Sequence, residues 1–173
     1  MNSLSLNQIL LKIFFLSVAA VCNCLLSHAQ SSSSSQTLSV NTAQAIHFGA
    51  FCLSGNNGGS VTVSYDGTRT ATGDVVLLST FPAAVPAIFE VKICRGKNVV
   101  ITYDAVTKII SPNAVSLLIN IGPTEKGVNG TSFVSQSDCD FTTSIRVGGT
   151  LHIPPNATAG NYSGIFNMSF KQE

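Results

Sequence analysis

Short segments in which apolar and polar residues alternate recur from Leu38 to Phe170, with turn-forming residues between them. Residues 61–65 read VTVSY and lie directly before the turn-forming pair Asp66-Gly67. A period of two places successive side chains on opposite faces of an extended chain, so the pattern predicts half-buried β-strands. Since no window of useful length has the 3.6-residue period of a helix, we expect an all-β protein.

Similar segments are spaced along the rest of the chain. Further strands are predicted at residues 68–72, 74–79, 87–94, 99–103, 114–121, 141–153 and 162–170. The pair Gly148-Gly149 interrupts one of them and predicts a bulge or a bend. About eight short antiparallel strands with turns between them are typical of a β-sandwich or a β-barrel.

The N-terminal 29 residues have the features of a cleaved signal peptide. Lys12 precedes an apolar run at residues 13–26, and the small residues Ser27 and Ala29 follow it. The run is too short to span a bilayer comfortably. We therefore expect export and cleavage after Ala29, with an uncleaved membrane anchor or a lipoprotein as the alternatives.

Residues 30–36 are rich in serine and predict a flexible leader. Residues 37–173 then form the single predicted domain. The chain has nine basic and eight acidic residues, and only 10% of its residues are charged. Because nucleic-acid binders and polybasic membrane-binding proteins carry a clustered positive charge, we expect no nucleic-acid partner and, after signal cleavage, no membrane attachment.

The sequence has no recognisable arrangement of catalytic residues. It lacks the HExxH, GxSxG, P-loop and CxxC patterns. His47 and His152 would need a third convergent ligand to bind a metal ion, and Asp138 with Asp140 is more typical of a solvated loop. We expect no catalytic residue, no cofactor, no metal site and therefore no enzyme.

Three cysteines follow Ala29, and an oxidising compartment would permit one disulfide among them. Three pairings are open from the sequence. We favour Cys94 with Cys139, because both lie at the ends of predicted strands. Cys52 is expected to be a small buried apolar side chain.

Four stretches in order along the chain are characteristic: residues 48–52 (FGAFC), 58–69 (GGSVTVSYDGTR), 147–151 (VGGTL) and 159–164 (AGNYSG). Together they resemble the DUF4402 family of exported bacterial domains over residues 38–173. The family is similar to pilin-like and spore-coat-U-like domains. The resemblance implies an immunoglobulin-like antiparallel β-sandwich on or outside the cell envelope, and it implies no established activity.

Pilin-like subunits end in a strand of alternating apolar residues that begins with a glycine fourteen positions from the C-terminus, where this chain has Gly160. Such a strand pairs with a partner by β-strand addition. The residues predicted to form this strand-addition face are Gly160, Tyr162, Gly164, Phe166, Met168 and Phe170. Residues 36–48 would be the matching donor segment, and the alternative is an ordinary last strand with one face in the core.

Two functions remain open from the sequence. The first is a non-enzymatic structural or adhesive module in the periplasm, at the cell surface or outside the cell, assembling with itself or with other surface subunits by strand addition. The second is a self-contained monomeric module that binds a glycan or another envelope protein through the loops at residues 53–59 and 120–138.

Overall fold

Twelve β-strands and no helix are formed by residues 38–173, the part of the chain that the computed structural model describes. The predicted signal peptide and serine-rich leader lie outside the described residues. The strands are β1 (Ser39–Gln44), β2 (Phe51–Leu53), β3 (Gly59–Val63), β4 (Arg69–Gly73), β5 (Val75–Leu77), β6 (Ala87–Lys92), β7 (Asn98–Tyr103), β8 (Val106–Ile110), β9 (Ser116–Thr124), β10 (Ser132–Val134), β11 (Thr142–Ile153) and β12 (Met168–Gln172).

The predicted all-β, sandwich-like fold is confirmed, and every strand pairing is antiparallel. The number of strands is larger than the eight expected. Three strands have only three residues each, too few for the alternation to be visible in the sequence. The strand predicted at residues 162–170 is shorter than expected and begins only at Met168.

The longest strand, β11, organises the larger sheet. Its first half pairs with β6, and its second half pairs with β3 on one side and β9 on the other. Strands β1, β4 and β8 extend this sheet to seven strands, while β10, β7 and β12 form a separate three-stranded sheet and β2 pairs with β5. The register shifts between Val147 and Gly149, where the bulge or bend was predicted.

Gly148 lies at this shift because the neighbouring backbone comes very close. A Cβ atom at this position would lie 2.7 Å from the carbonyl oxygen of Val63 and 2.9 Å from the amide nitrogen of Tyr65. Separations under 3.0 Å are closer than Cβ atoms tolerate, so a side chain here would displace the backbone after β3. Glycine thus permits the change of neighbours along β11.

The hydrophobic core contains the inward-facing residues of both main sheets. In β6, alternation places Ala87, Phe89 and Val91 in the core, as the period-2 pattern predicts. Phe89 of the larger sheet packs against Phe170 of the smaller sheet, with ring centroids 6.0 Å apart. The two sheets therefore share one core. Among the described residues there is no helix long and apolar enough to cross a membrane.

Candidate functional site

The large side chains of the predicted strand-addition face point into the core of their own domain. Phe170 is buried, and Tyr162, Phe166 and Met168 are half-buried against the core. The rings of Phe166 and Phe170 each lie 6.0 Å from the ring of Phe89, that of Phe166 edge to face. This face is therefore already occupied within the chain, as in an ordinary last strand.

The two glycines of the predicted face lie before β12, where the chain runs beside β8. Ile110 and Ser163 exchange two backbone hydrogen bonds of 2.8 and 3.1 Å, and the Thr107 hydroxyl of β8 donates to the Ile165 carbonyl at 2.8 Å. Gly164 lies against the carbonyl oxygen of Lys108, and Gly160 is exposed to solvent. The structure thus separates these glycines from the strand proper.

The backbone of β12, in contrast to its side chains, has an open edge. Strand β12 pairs with β7, and no other strand of the described chain pairs with it. Phe170 lies opposite Ile101, whose amide donates to Thr131 and whose carbonyl accepts from the Gly130 amide, both on the far side of β7. In an antiparallel pair, the backbone N–H and C=O groups of two opposed residues either bond to each other or point away from each other. Since those of Ile101 point to the far side of β7, those of Phe170 point to the open edge of β12.

The same alternation places the backbone groups of Met168 and Gln172 at the open edge. Tyr103, opposite Met168, is bonded at both its N–H and its C=O to the side chain of Asn129, at 3.0 and 2.8 Å. Residues 168, 170 and 172 therefore present three amides and three carbonyls, with about 7 Å between alternate residues of one strand. We take this β12 edge as the candidate site.

Gln172 was not part of the predicted face. Whether its backbone groups point to the open edge depends on which alternate residues of β12 bond to β7. The pattern of side chains in the sequence does not determine this. The neighbouring Lys171 is exposed and lies 3.8 Å from the carboxylate of Glu173. A lysine on an edge strand disfavours indiscriminate pairing, because its charge must stay solvated.

Strand β1 occupies six residues in the middle of the predicted donor segment and lies at another edge, beside β6. Its side chains from Ser39 to Ala43 are exposed, including Val40, and Gln44 is half-buried with its amide donating to the Pro86 carbonyl at 2.7 Å. Backbone pairing holds this strand, since it adds no side chain to the buried core. Residues 36 and 37 of the donor segment lie outside the described residues.

Cys94 and Cys139 are joined by a disulfide, with their Cα atoms 4.1 Å apart. The bond links the segment after β6 to the segment before β11, two strands that pair with each other. Beside it, Arg95 Nε lies 3.2 Å from a carboxylate oxygen of Asp138, and both side chains are largely exposed. The disulfide therefore closes a surface loop region and leaves the open edge of β12 untouched.

The expectation that Cys52 is buried is wrong, because its side chain is exposed and its thiol is free. The physical reason is its place in the two-stranded sheet. Cys52 lies opposite Val76 of β5, and both residues point to the solvent side. A pattern of apolar residues in a short strand does not reveal which of its two faces is covered.

The remaining candidates of the sequence lie apart at the surface. His47, His152, Asp138 and Asp140 are all exposed. His47 exchanges two backbone hydrogen bonds of 2.9 Å with Val85 and thereby extends the β1 region. Within residues 38–173 no group of three histidine, cysteine or acidic residues is placed to hold a metal ion.

An antiparallel, sandwich-like domain with an open C-terminal edge strand is the class that these observations define. The family model for a domain of unknown function, DUF4402, matches residues 38–171, nearly all of the described chain. This protein belongs to the DUF4402 family, and the four stretches noted in its sequence lie within the match. No curated protein and no solved structure matches the chain.

Proposed function

We propose that this chain is a non-enzymatic structural or adhesive module of the bacterial envelope or cell surface, exported by a cleaved signal peptide. Its subunits assemble, in a pilin-like manner, by β-strand addition at the open edge of β12. The observation that carries the proposal is the row of unpaired backbone groups at residues 168, 170 and 172. Family membership and the all-β fold agree with this role and supply no activity of their own.

Two other edge strands of the described chain, β8 and β10, fit an incoming strand less well. Strand β10 has only three residues, and β8 is bridged at Ile110 by Ser163. An extended segment laid along β12 could form several backbone hydrogen bonds, each with a net stabilisation of about 0.5–1.5 kcal/mol. Because the core-facing side chains of β12 are already buried in their own domain, selectivity for one donor strand over another comes from the donor's side chains at the exposed surface of the sheet.

The donor that fits best is the N-terminal region of a second copy. Strand β1 itself adds no buried side chain to the core of its own domain. Releasing it together with Leu38 costs the backbone hydrogen bonds to β6, the Gln44 bond to the Pro86 carbonyl and the partial packing of Leu38 against the core. Leu38 and Val40 alternate with polar residues and give the donor one apolar face. Each subunit would then offer one acceptor edge at its C-terminal strand and one donor segment at its N-terminus, which permits a linear polymer.

Replacing Gln172 with proline tests the β12 edge directly. Proline removes the outward-facing amide of residue 172, while Lys171 keeps its pairing with Val100. We expect the Gln172→Pro variant to lose assembly and to retain a folded monomer. The readout is an unheated, non-reducing denaturing gel of protein sheared from the cell surface, on which wild type gives a ladder that collapses on heating.

Gln172→Ala is the matched control, because it removes the same side chain and keeps the amide. This variant should give the wild-type ladder, and thermal unfolding of both variants should show intact monomers. A ladder from Gln172→Pro that equals the wild-type ladder would show that the β12 edge does not accept a strand. A wild-type ladder that collapses on reduction alone would instead assign the assembly to the exposed thiol of Cys52.

The second candidate function is a self-contained monomeric module that binds a glycan or another envelope protein. The observation that favours it is the complete core, in which Phe166, Met168 and Phe170 of the same chain already take part. A single monomer band for wild type on the same gel would support this function. The predicted binding loops at residues 53–59 and 120–138 would then be the first surfaces to vary.

A further inference from the structure

Arg69, the first residue of β4, is held in a fixed position by backbone carbonyls. Its Nη2 donates to the carbonyl of Ala50 at 2.7 Å, and its Nη1 donates to the carbonyl of Leu78 at 3.1 Å. Gly49 covers one face of the guanidinium, where a Cβ atom would lie 3.1 Å from Cζ. Gly49 has a φ of +69°, which favours glycine in its own right. Two of the family stretches, residues 48–52 and 58–69, thus meet at this side chain.

The charge of Arg69 has no counterion in the described part of the chain. The ion pairs there involve Arg95, Lys126 and Lys171, and none involves Arg69. A guanidinium has five N–H donors, so the two bonds to carbonyls leave three unused. Its Nε is buried without a partner, and partial burial lowers the pKa of Arg69 from its ordinary value. A partly desolvated cation with spare donors favours an anionic ligand.

The guanidinium lines an open cavity of about 460 Å³ between β4 and the loop that follows β5. Ser79, Thr80 and Phe81 from this loop line the same cavity, and Arg69 is its one charged lining residue. The ring of Phe81 is 95% exposed, so it contributes almost nothing to the core. The cavity therefore combines one cation, two hydroxyls and a free aromatic face, within the size range of small-ligand sites.

We propose that this cavity binds a carboxylate-bearing sugar residue of an acidic polysaccharide. The unused Nη donors of Arg69 suit the two oxygens of a carboxylate, which arginine binds in a planar, bidentate geometry. The ring of Phe81 offers an apolar surface to the face of the sugar ring. Ser79 and Thr80 can each donate to and accept from sugar hydroxyls. The proposal concerns a site away from β12 and holds for a monomer or an assembled chain.

The test uses the full mature chain and a tetrasaccharide of galacturonic acid, with the neutral galactose tetrasaccharide as the comparison probe. By calorimetric titration at low salt, we expect the acidic probe to bind at least about tenfold more tightly than the neutral one. Raising the salt concentration should weaken binding of the acidic probe, because a charge pair at a surface is screened. Equal affinity for both probes, or no binding of either, would overturn the proposal.

Phe81→Ala is the decisive variant, because so exposed a ring can be removed without disturbing the fold. It should weaken binding of the acidic probe by about tenfold or more with an unchanged unfolding midpoint. Phe141→Ala is the matched control, since this ring is 64% exposed and does not line the cavity, and it should bind as wild type does. Wild-type affinity in Phe81→Ala would show that the cavity is not the binding site.

Arg69→Gln separates recognition of charge from recognition of the sugar. The variant should lose the preference for the acidic over the neutral probe, and circular dichroism would establish that it is folded. A tetrapeptide of glutamate serves as a second anionic probe of similar charge. If it binds as tightly as the galacturonic acid tetrasaccharide, Arg69 recognises negative charge alone, and the assignment to an acidic sugar is wrong.

Discussion

Replacing Phe89 with alanine is expected to lower the free energy of unfolding by about 3–5 kcal/mol. This is the range for a buried phenylalanine whose neighbours do not relax into the space that it leaves. Phe89 lies in β6, is 8% exposed, and packs against Phe166 and Phe170. Its removal leaves a cavity where the two main sheets meet. Denaturant titration, followed by far-ultraviolet circular dichroism, measures the change.

Phe81→Ala provides the control, because it deletes the same atoms from a ring that lies in solvent. Its effect should stay within about 0.5 kcal/mol, as for surface substitutions in general. A loss for Phe89→Ala as small as that for Phe81→Ala would contradict the placement of Phe89 between the sheets. It would also remove the reason for regarding the C-terminal aromatic residues as part of the core.

Removing the disulfide is the second change with a large expected effect. Cys94 and Cys139 are 45 positions apart, and a loop of this length predicts a loss of about 4 kcal/mol when both are replaced by serine. The cross-link restricts the unfolded chain, so its removal raises the conformational entropy of the unfolded state. Because small domains are stable by only about 5–15 kcal/mol, the double variant should unfold at a much lower denaturant concentration.

Cys52→Ser is the control for this experiment, since the thiol is exposed and outside the disulfide. It should unfold as wild type does, and reducing agent should shift its transition by the amount seen for the double serine variant. If the double variant and Cys52→Ser have the same stability, Cys94 and Cys139 do not form the cross-link in the folded protein. Peptide mapping without reduction would then identify the pair.

The fold could be predicted where alternation and burial agree along a strand. Residues 61–63 and 87–92 are examples, because one face of each strand lies in the core. Prediction was wrong for residues 162–167, which have the alternation of a strand and yet form only the bridge at Ser163. Strand β8 was missed, since Val106 and Ile110 are exposed and its pattern does not identify a core face.

The candidate site was predictable only in its location. Gly160 and the apolar alternation predict a strand-addition site in the C-terminal segment, where the β12 edge lies. The large side chains of the predicted strand-addition face lie in or against the core of their own domain. The backbone groups at residues 168, 170 and 172 are open because the alternate residues of β12 are the ones that bond to β7. The cavity beside Arg69 depends on how the loop after β5 folds back beside β4, so composition and spacing alone contain no signal for it.

Strand addition at the β12 edge, as proposed, would separate the assembly of subunits from the folding of each subunit. The C-terminal aromatic residues complete the core of each subunit, so a monomer can be stable before it meets a partner. The exposed Lys171 on the edge disfavours pairing with arbitrary strands. In the proposed assembly, an exchangeable β1 would supply the complementary donor, at the cost of its backbone bonds to β6 and of the partial packing of Leu38 against the core.

Hydrogen exchange at the C-terminal strand tests the central claim most directly. Amide-resolved exchange would be compared between the assembled protein and the monomeric Gln172→Pro variant. In the assembled state the amides of Met168 and Phe170 should become strongly protected, while those of Ser169 and Lys171, already bonded to β7, should change little. Equal exchange of Met168 and Phe170 in the two states would contradict strand addition at the β12 edge.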